Sequence, residues 1–101
     1  MSRYMLQEPN DPKLRAQGLR QLYENDDGRK LPSDMLKRVS LLLHALDQAK
    51  VVDELDLPTF KLHALRGDLR GFWAVTVRAN WRLVFRFKEG NVLDLDFIDY
   101  H

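Results

Sequence analysis

Apolar residues in the first half of the chain recur with the period of a helix. Leu36, Val39, Leu43 and Leu46 follow at i, i+3, i+7 and i+10, and Met35 and Leu42 widen the stripe into a core-facing surface. The pattern predicts a helix over about 34–49. Ser33, after Pro32, is the expected N-cap, with Asp34 favourable in the first turn. An earlier helix should start at Asn10-Asp11-Pro12, with Asp11 as N-cap and Pro12 at the first helical position. Leu14, Leu19, Leu22 and Tyr23 fall near one face of it, and Gly18 costs it about 1 kcal/mol. Between the two helices, Asn25 to Leu31 reads as a polar turn. Val51 to Leu55 reads as a short extra turn, stopped by Pro58.

The second half changes period from 3.6 to 2. Phe60, Leu62 and Ala64 alternate with Lys61, His63 and Leu65. Gly67 and Gly71 bracket a loop. In Phe72 to Arg78, Trp73, Val75 and Val77 share one face, and Phe72, Ala74, Thr76 and Arg78 the other. Ala79-Asn80 is a tight connection in which Asn is the residue expected to tolerate a positive φ. From Trp81 to Phe87, Leu83, Phe85 and Phe87 point one way, Arg82, Val84 and Arg86 the other. Glu89-Gly90-Asn91 turns the chain again. The last strand, Val92 to Ile98, sets Leu93, Leu95 and Phe97 against Asp94 and Asp96. Short connections imply an antiparallel meander. Two helices covering its apolar face give a two-layer α+β domain. The 101 residues fit one domain, with residues 1–11 as an N-terminal extension or an edge strand over Ser2 to Leu6.

Composition narrows the chemistry. There is no cysteine, which removes disulfides, cysteine-ligated zinc and thiol catalysis together, and fits a reducing cytoplasm. No apolar run reaches the roughly 18 residues of a membrane helix, and no signal-peptide apolar region follows Met1, so no membrane partner is expected. The net charge of +1 conceals an uneven distribution. Residues 1–60 carry 9 basic and 10 acidic side chains, net −1. Residues 61–88 carry 7 basic side chains against Asp68 alone, net +6, and residues 89–101 carry 4 acidic ones and no Lys or Arg, net −4. A concentrated basic block is the electrostatic footprint of a polyanion partner, the alternative being a solvated strand surface. Arg82 and Arg86, four apart on one strand, lie about 13 Å from each other, which spans about two phosphates of an extended single strand.

There is no P-loop, no GxGxxG, no HExxH and no GxSxG, so nucleotide-loop, metalloprotease and serine-hydrolase readings have no support. What remains is His63, a set of arginines and the terminal Asp99-Tyr100-His101. These are the parts that ribonucleolytic cleavage needs. A base removes the proton of a ribose 2′-OH, an acid protonates the departing 5′-oxygen, and cations stabilise the phosphorane, with no metal or cofactor required. His suits both proton transfers near neutrality, and Arg supplies bidentate phosphate contacts without giving up its charge.

The run from Lys61 through Leu62-His63-Ala64-Leu65-Arg66-Gly67-Asp68, then Gly71-Phe72-Trp73, then Val77-Arg78-Ala79-Asn80-Trp81-Arg82, then Asp99-Tyr100-His101, resembles the HigB toxins of the RelE superfamily. The resemblance covers about residues 18–101 and includes Gly18-Leu19 and Leu55-Asp56-Leu57-Pro58. Its combination of an LHxLxGD run, an NWR triplet and a C-terminal DYH is specific. It implies the compact RelE-like microbial-ribonuclease fold, and a toxin of a type II toxin–antitoxin module that cleaves mRNA in the ribosomal A site and so inhibits translation. It implies a HigA-type helix-turn-helix antitoxin as partner, with operator DNA reached only through that antitoxin. It places the catalytic residues at His63, Arg66, Arg82, Asp99, Tyr100 and His101. Lys61, Arg70, Arg78 and Arg86 are the accompanying RNA-binding candidates. The chain departs from the family in its N-terminal residues, where relatives commonly run from a short strand straight into the first helix, and at Arg66, where Lys is frequent. The rival expectations are a RelE-like module that blocks the ribosome without cutting, and a non-catalytic protein-interaction domain.

Overall fold

A computed structural model describes residues 12–29 and 31–99. Helix α1 (Pro12–Asn25) and helix α2 (Ser33–Gln48) are followed by a 3-10 turn at Val52–Leu55. Four strands then form one antiparallel sheet in sequential order: β1 (His63–Ala64), β2 (Trp73–Arg78), β3 (Trp81–Lys88) and β4 (Asn91–Asp99). A second 3-10 turn, Gly67–Leu69, lies between β1 and β2. The expected α+β architecture is present, with both helices against one face of the meander. Asp11 and the Ser2 to Leu6 segment lie outside the described residues.

The core lies between the helices and that face. Leu19 and Leu22 of α1 and Met35, Val39, Leu42, Leu43 and Leu46 of α2 form one buried cluster with Leu83 and Phe85 of β3 and Phe97 of β4. Helix α1 lies along β4 and α2 along β2. Phe85 and Phe97 are among the largest fully enclosed side chains, and each adds a large apolar area to the burial that drives folding.

Two register shifts change which residues the sheet shows to each side. On β2, Thr76 pairs with Arg82 and Arg78 with Trp81, so Val77 is an extra residue and Arg78 moves to the helix side beside Trp81. Simple alternation puts Arg78 on the other face. On β4, Val84 pairs with Asp96 and Arg86 with Leu93, so Phe85 faces both Asp94 and Leu95. Asp94 takes a left-handed φ of 53° at this bulge. Val92, Leu95 and Phe97 therefore face the helices, and Leu93, expected with them, is exposed.

Local details differ from expectation in two further places. Helix α2 begins at Ser33 itself, with Pro32 in the cap position and no side-chain cap hydrogen bond. In the β2–β3 turn the left-handed residue is Ala79, at φ 49°, rather than Asn80. The turn expected at Glu89-Gly90-Asn91 is a two-residue hairpin, with Glu89 and Gly90 both at positive φ and Asn91 already in β4.

Polar contacts tie the layers together. Arg38 of α2 reaches across to the sheet: its Nη2 donates to the Thr59 carbonyl at 2.5 Å and to the Thr76 carbonyl at 3.2 Å, and its guanidinium lies 5.5 Å from the centre of the Phe60 ring. Tyr23 Oη donates to Asp47 Oδ1 at 2.5 Å and joins α1 to α2, and this bond to a carboxylate raises the tyrosine pKa. Glu54 Oε1 accepts the backbone N–H of Lys50 at 2.6 Å and of Val51 at 3.2 Å, which lowers its pKa.

Arg38→Ala removes both carbonyl contacts and the stacking on Phe60, and should cost about 2 kcal/mol in urea unfolding. The folded-state pKa of Glu54 is below its unfolded value of ~4.3, so its contribution is complete above that pH and fades as pH falls through the lowered folded value. The stability difference between the native protein and Glu54→Gln should therefore shrink on acidification through that range.

Candidate active site

Among the described residues no helix covers the second face of the sheet. Along β3, burying Leu83 and Phe85 among the helices turns Arg82, Val84 and Arg86 to this open side. Thr76 and Ile98 flank Arg82 in register, and Ala74 and Asp96 flank Val84. His63 pairs with Ala74 from the other edge. The open face thus carries His63, Thr76, Arg82, Arg86 and Asp96 around a small apolar patch of Leu65, Ala74 and Val84.

His63 is exposed, and its Nδ1 lies 3.0 Å from the Lys61 carbonyl oxygen. A carbonyl oxygen only accepts, so in the neutral ring the contact assigns the proton to Nδ1. Nε2 then keeps its lone pair, which is the arrangement a general base needs. Lys61, whose carbonyl makes the contact, is itself left-handed at φ 52°.

Arg82 is half-buried. Its Nη1 donates to the Ala79 carbonyl at 2.5 Å and to the Trp81 carbonyl at 3.2 Å. Its Nε is buried and has no hydrogen-bond partner among the described residues. The guanidinium is held by the hairpin turn, yet one of its donors is unsatisfied. His63 and Arg82 sit two strands and one pair-step apart, about 12 Å between backbones, so their side chains can converge on one phosphate.

The remaining cations divide between two regions. Arg66 and Arg70 flank the 3-10 turn at the β1 edge, and both are exposed. The glycines of that loop are both left-handed, Gly67 at φ 66° and Gly71 at φ 97°, and a Cβ on either would meet no atom within 4 Å. They are required by backbone conformation rather than by close packing. Lys61 is exposed just before β1. Arg86 pairs with Asp94 Oδ2 at 3.1 Å, an exposed contact created by the β4 bulge. Arg78 is drawn away to the helix side, where it pairs with Asp34 of α2.

Asp99 pairs with Trp81, and Trp81 packs on Phe97 with ring centres 4.9 Å apart. That places Asp99 at the end of β4 on the helix side, across the sheet from Arg82. Tyr100 and His101 lie outside the described residues. The structure therefore gathers His63, Arg82 and Arg86 on one face, sets Arg66 and Arg70 on its rim, and leaves Arg78 and Asp99 on the other side.

Asp96 is a component that pattern reading passed over. It is 6% exposed, shares the open face with Arg82, and accepts the Phe97 N–H at 2.8 Å. The period-2 run Asp94-Leu95-Asp96-Phe97 carries the signal, since an acid two residues from the buried end of a strand shares a face with its basic neighbours. Among the described residues no group of three or more His, Cys, Asp or Glu side chains is placed to hold a metal ion, and no helix is long and apolar enough to cross a membrane. A groove of about 330 Å³ between Tyr23, Leu43, Asp47 and the β3–β4 hairpin lies on the helix side, remote from His63 and Arg82.

Residues 12–101 match the sequence profile of a family described as the RelE-like toxin of type II toxin-antitoxin system HigB. The chain is 40% identical over 88 residues to the Endoribonuclease HigB of Proteus vulgaris, covering 87% of this chain and 96% of the relative. It is 31% identical over 85 residues to Toxin HigB-1 of Vibrio cholerae, covering 82% and 88%. Among solved structures, the fold is similar to that of a chain in the YoeB-YefM complex from Staphylococcus aureus, with a TM-score of 0.52 at 17% identity over 86% of this chain and 87% of that one.

The two glycines of the basic loop give a direct check on its backbone. Gly71→Ala meets no steric obstacle, so its cost comes from φ alone and should be about 1–3 kcal/mol in chemical denaturation.

Proposed function

Because the chain belongs to the HigB family of RelE-like toxins of type II toxin–antitoxin systems, we propose that it is an endoribonuclease that cleaves mRNA in the ribosomal A site, without a metal, and so stops translation. The observation that carries the reading is the placement, on one sheet face, of an Arg82 whose guanidinium is held by the hairpin carbonyls with a His63 whose Nδ1 is committed to a carbonyl. A phosphate pairs with the guanidinium of the first, and a ribose hydroxyl suits the lone pair on the second.

In this reading His63 Nε2 takes the proton of the 2′-OH. The 2′-oxygen forms a bond to phosphorus and the bond from phosphorus to the 5′-oxygen breaks. Arg82 and Arg66 stabilise the charge that builds on the phosphorane. The proton for the departing 5′-oxygen comes from Tyr100 or His101, which follow Asp99, the last residue of β4, whose own carboxyl lies on the helix side. The products are a 2′,3′-cyclic phosphate and a 5′-hydroxyl. Lys61, Arg70 and Arg86 contact flanking phosphates, Arg86 after exchanging Asp94 for the RNA. The ribosome presents the codon, so free RNA is a poor substrate. The protein acts in the bacterial cytoplasm and is held inactive by a HigA-type helix-turn-helix antitoxin, through which alone it reaches operator DNA.

The test is mRNA cleavage on purified ribosomes, with product ends mapped. His63→Gln should lose about 10²–10⁴ in rate, and Arg82→Ala about 10²–10³. Undiminished cleavage by both Arg82→Ala and a variant lacking His101 would overturn the site. Arrested translation with intact mRNA would show a protein that blocks the ribosome without cutting.

A further inference from the structure

Among the described residues the apolar patch on the open face has no helix above it, and one aromatic ring belongs to it. Leu65, Ala74 and Val84 are buried there, and Phe72 packs against them while staying partly exposed. The other aromatic side chains of the sheet, Trp73, Trp81, Phe85, Phe87 and Phe97, all belong to the helix-side core. Among the described residues, Phe72 is thus the aromatic that the sheet shows to the side of His63 and Arg82.

Its backbone is fixed at both ends. The Phe72 N–H donates to the Leu69 carbonyl at 2.9 Å, and its carbonyl accepts the Leu65 N–H at 2.9 Å. The ring is therefore presented from a rigid base at the mouth of the loop that carries Arg66 and Arg70. Phe72 lies opposite Leu65, and His63 is the diagonal neighbour, about 8 Å away between backbones. One nucleotide is long enough to touch both.

A rigid aromatic face beside exposed cations is what single-stranded nucleic acid uses for stacking, because every base has a π-face while the arginines hold the phosphates. A packing role alone explains the buried residues of the patch but not why one of its three half-buried members, with Leu69 and Ile98 the other two, is a ring near two arginines and the histidine. We propose that Phe72 is the base platform of this enzyme. It stacks the nucleobase next to the scissile phosphate, whichever base stands there, with Arg66 and Arg70 on the adjoining phosphate. The proposal rests on the RNA-cleavage reading above and adds the residue that grips the base.

The experiment uses the intact protein and ribosome-bound mRNA under single-turnover conditions, comparing Phe72→Leu, Phe72→Met, Phe72→Tyr and Phe72→Trp. It pairs them with mRNAs carrying one abasic residue at each position of the cut codon. Leu and Met should lower the cleavage rate about tenfold or more, whereas Tyr and Trp should hold it within about threefold. At one position the abasic residue should cost the native protein the same tenfold and cost Phe72→Leu nothing further, since ring and base are two halves of one contact. Thermal midpoints within about 3 °C across the series show that packing is intact; if Leu and Met unfold earlier, the rates and the abasic comparison are read at a temperature at which every variant is fully folded. Native-like cleavage by Leu and Met, or penalties that multiply, overturns the platform. Arg82→Ala is run alongside: if it is inactive while Phe72→Leu is normal, only the platform fails, and if it cleaves at the native rate the phosphodiester reading itself fails.

Discussion

Burying Leu83 and Phe85 against the helices leaves β3 no freedom over where Arg82 and Arg86 point. Side chains alternate across a strand, so a core that claims two positions sends the intervening ones to the other side. β3 is the middle of this arrangement. It pairs with β2 on one flank and β4 on the other, and both partners inherit their facing from it. The helix-side core is accordingly more than a source of stability. It aims the cations at the surface where His63 arrives from the sheet edge.

The open face is also graded in charge. Arg66 and Arg70 stand at the β1 side, while Asp94 and Asp96 stand on β4. An extended polyanion laid on such a face is drawn towards the loop and repelled from the last strand, which orients it before any specific contact forms. The Arg86–Asp94 pair sits at the boundary. As an exposed pair it holds its partners weakly, so a phosphate can replace the carboxylate at little cost.

Much of this was legible in the residues. The stripe from Met35 to Leu46 set α2 to within a residue, and the alternation within Trp81 to Phe87 assigned each side chain from Arg82 to Phe87 to the side on which it lies. What periodicity missed are departures from periodicity. Val77 and the Asp94–Leu95 pair are bulges, and an extra residue leaves no mark in a pattern that averages over a strand. Arg78 and Leu93 were assigned to the wrong sides for that reason. The left-handed residue at Ala79 was missed on different grounds. The hairpin imposes its backbone there, and the side-chain preference of Asn80 is outweighed. At the site, residue type pointed to His63 and Arg82, but neither the tautomer of His63 nor the unsatisfied Nε of Arg82 can be read without knowing which carbonyls lie beside them.

The bulge at Asp94 bears on how such a chain can vary over generations. A residue inserted into β3 would exchange its two faces, burying arginines and exposing Leu83 and Phe85, and nothing downstream could restore the order. β4 already holds one surplus residue, absorbed by a left-handed kink at the edge of the site. Length changes therefore have an inexpensive place in this strand. Descendants of the sequence can drift there, re-aiming the acid that faces Arg86, while β3 keeps a strict count.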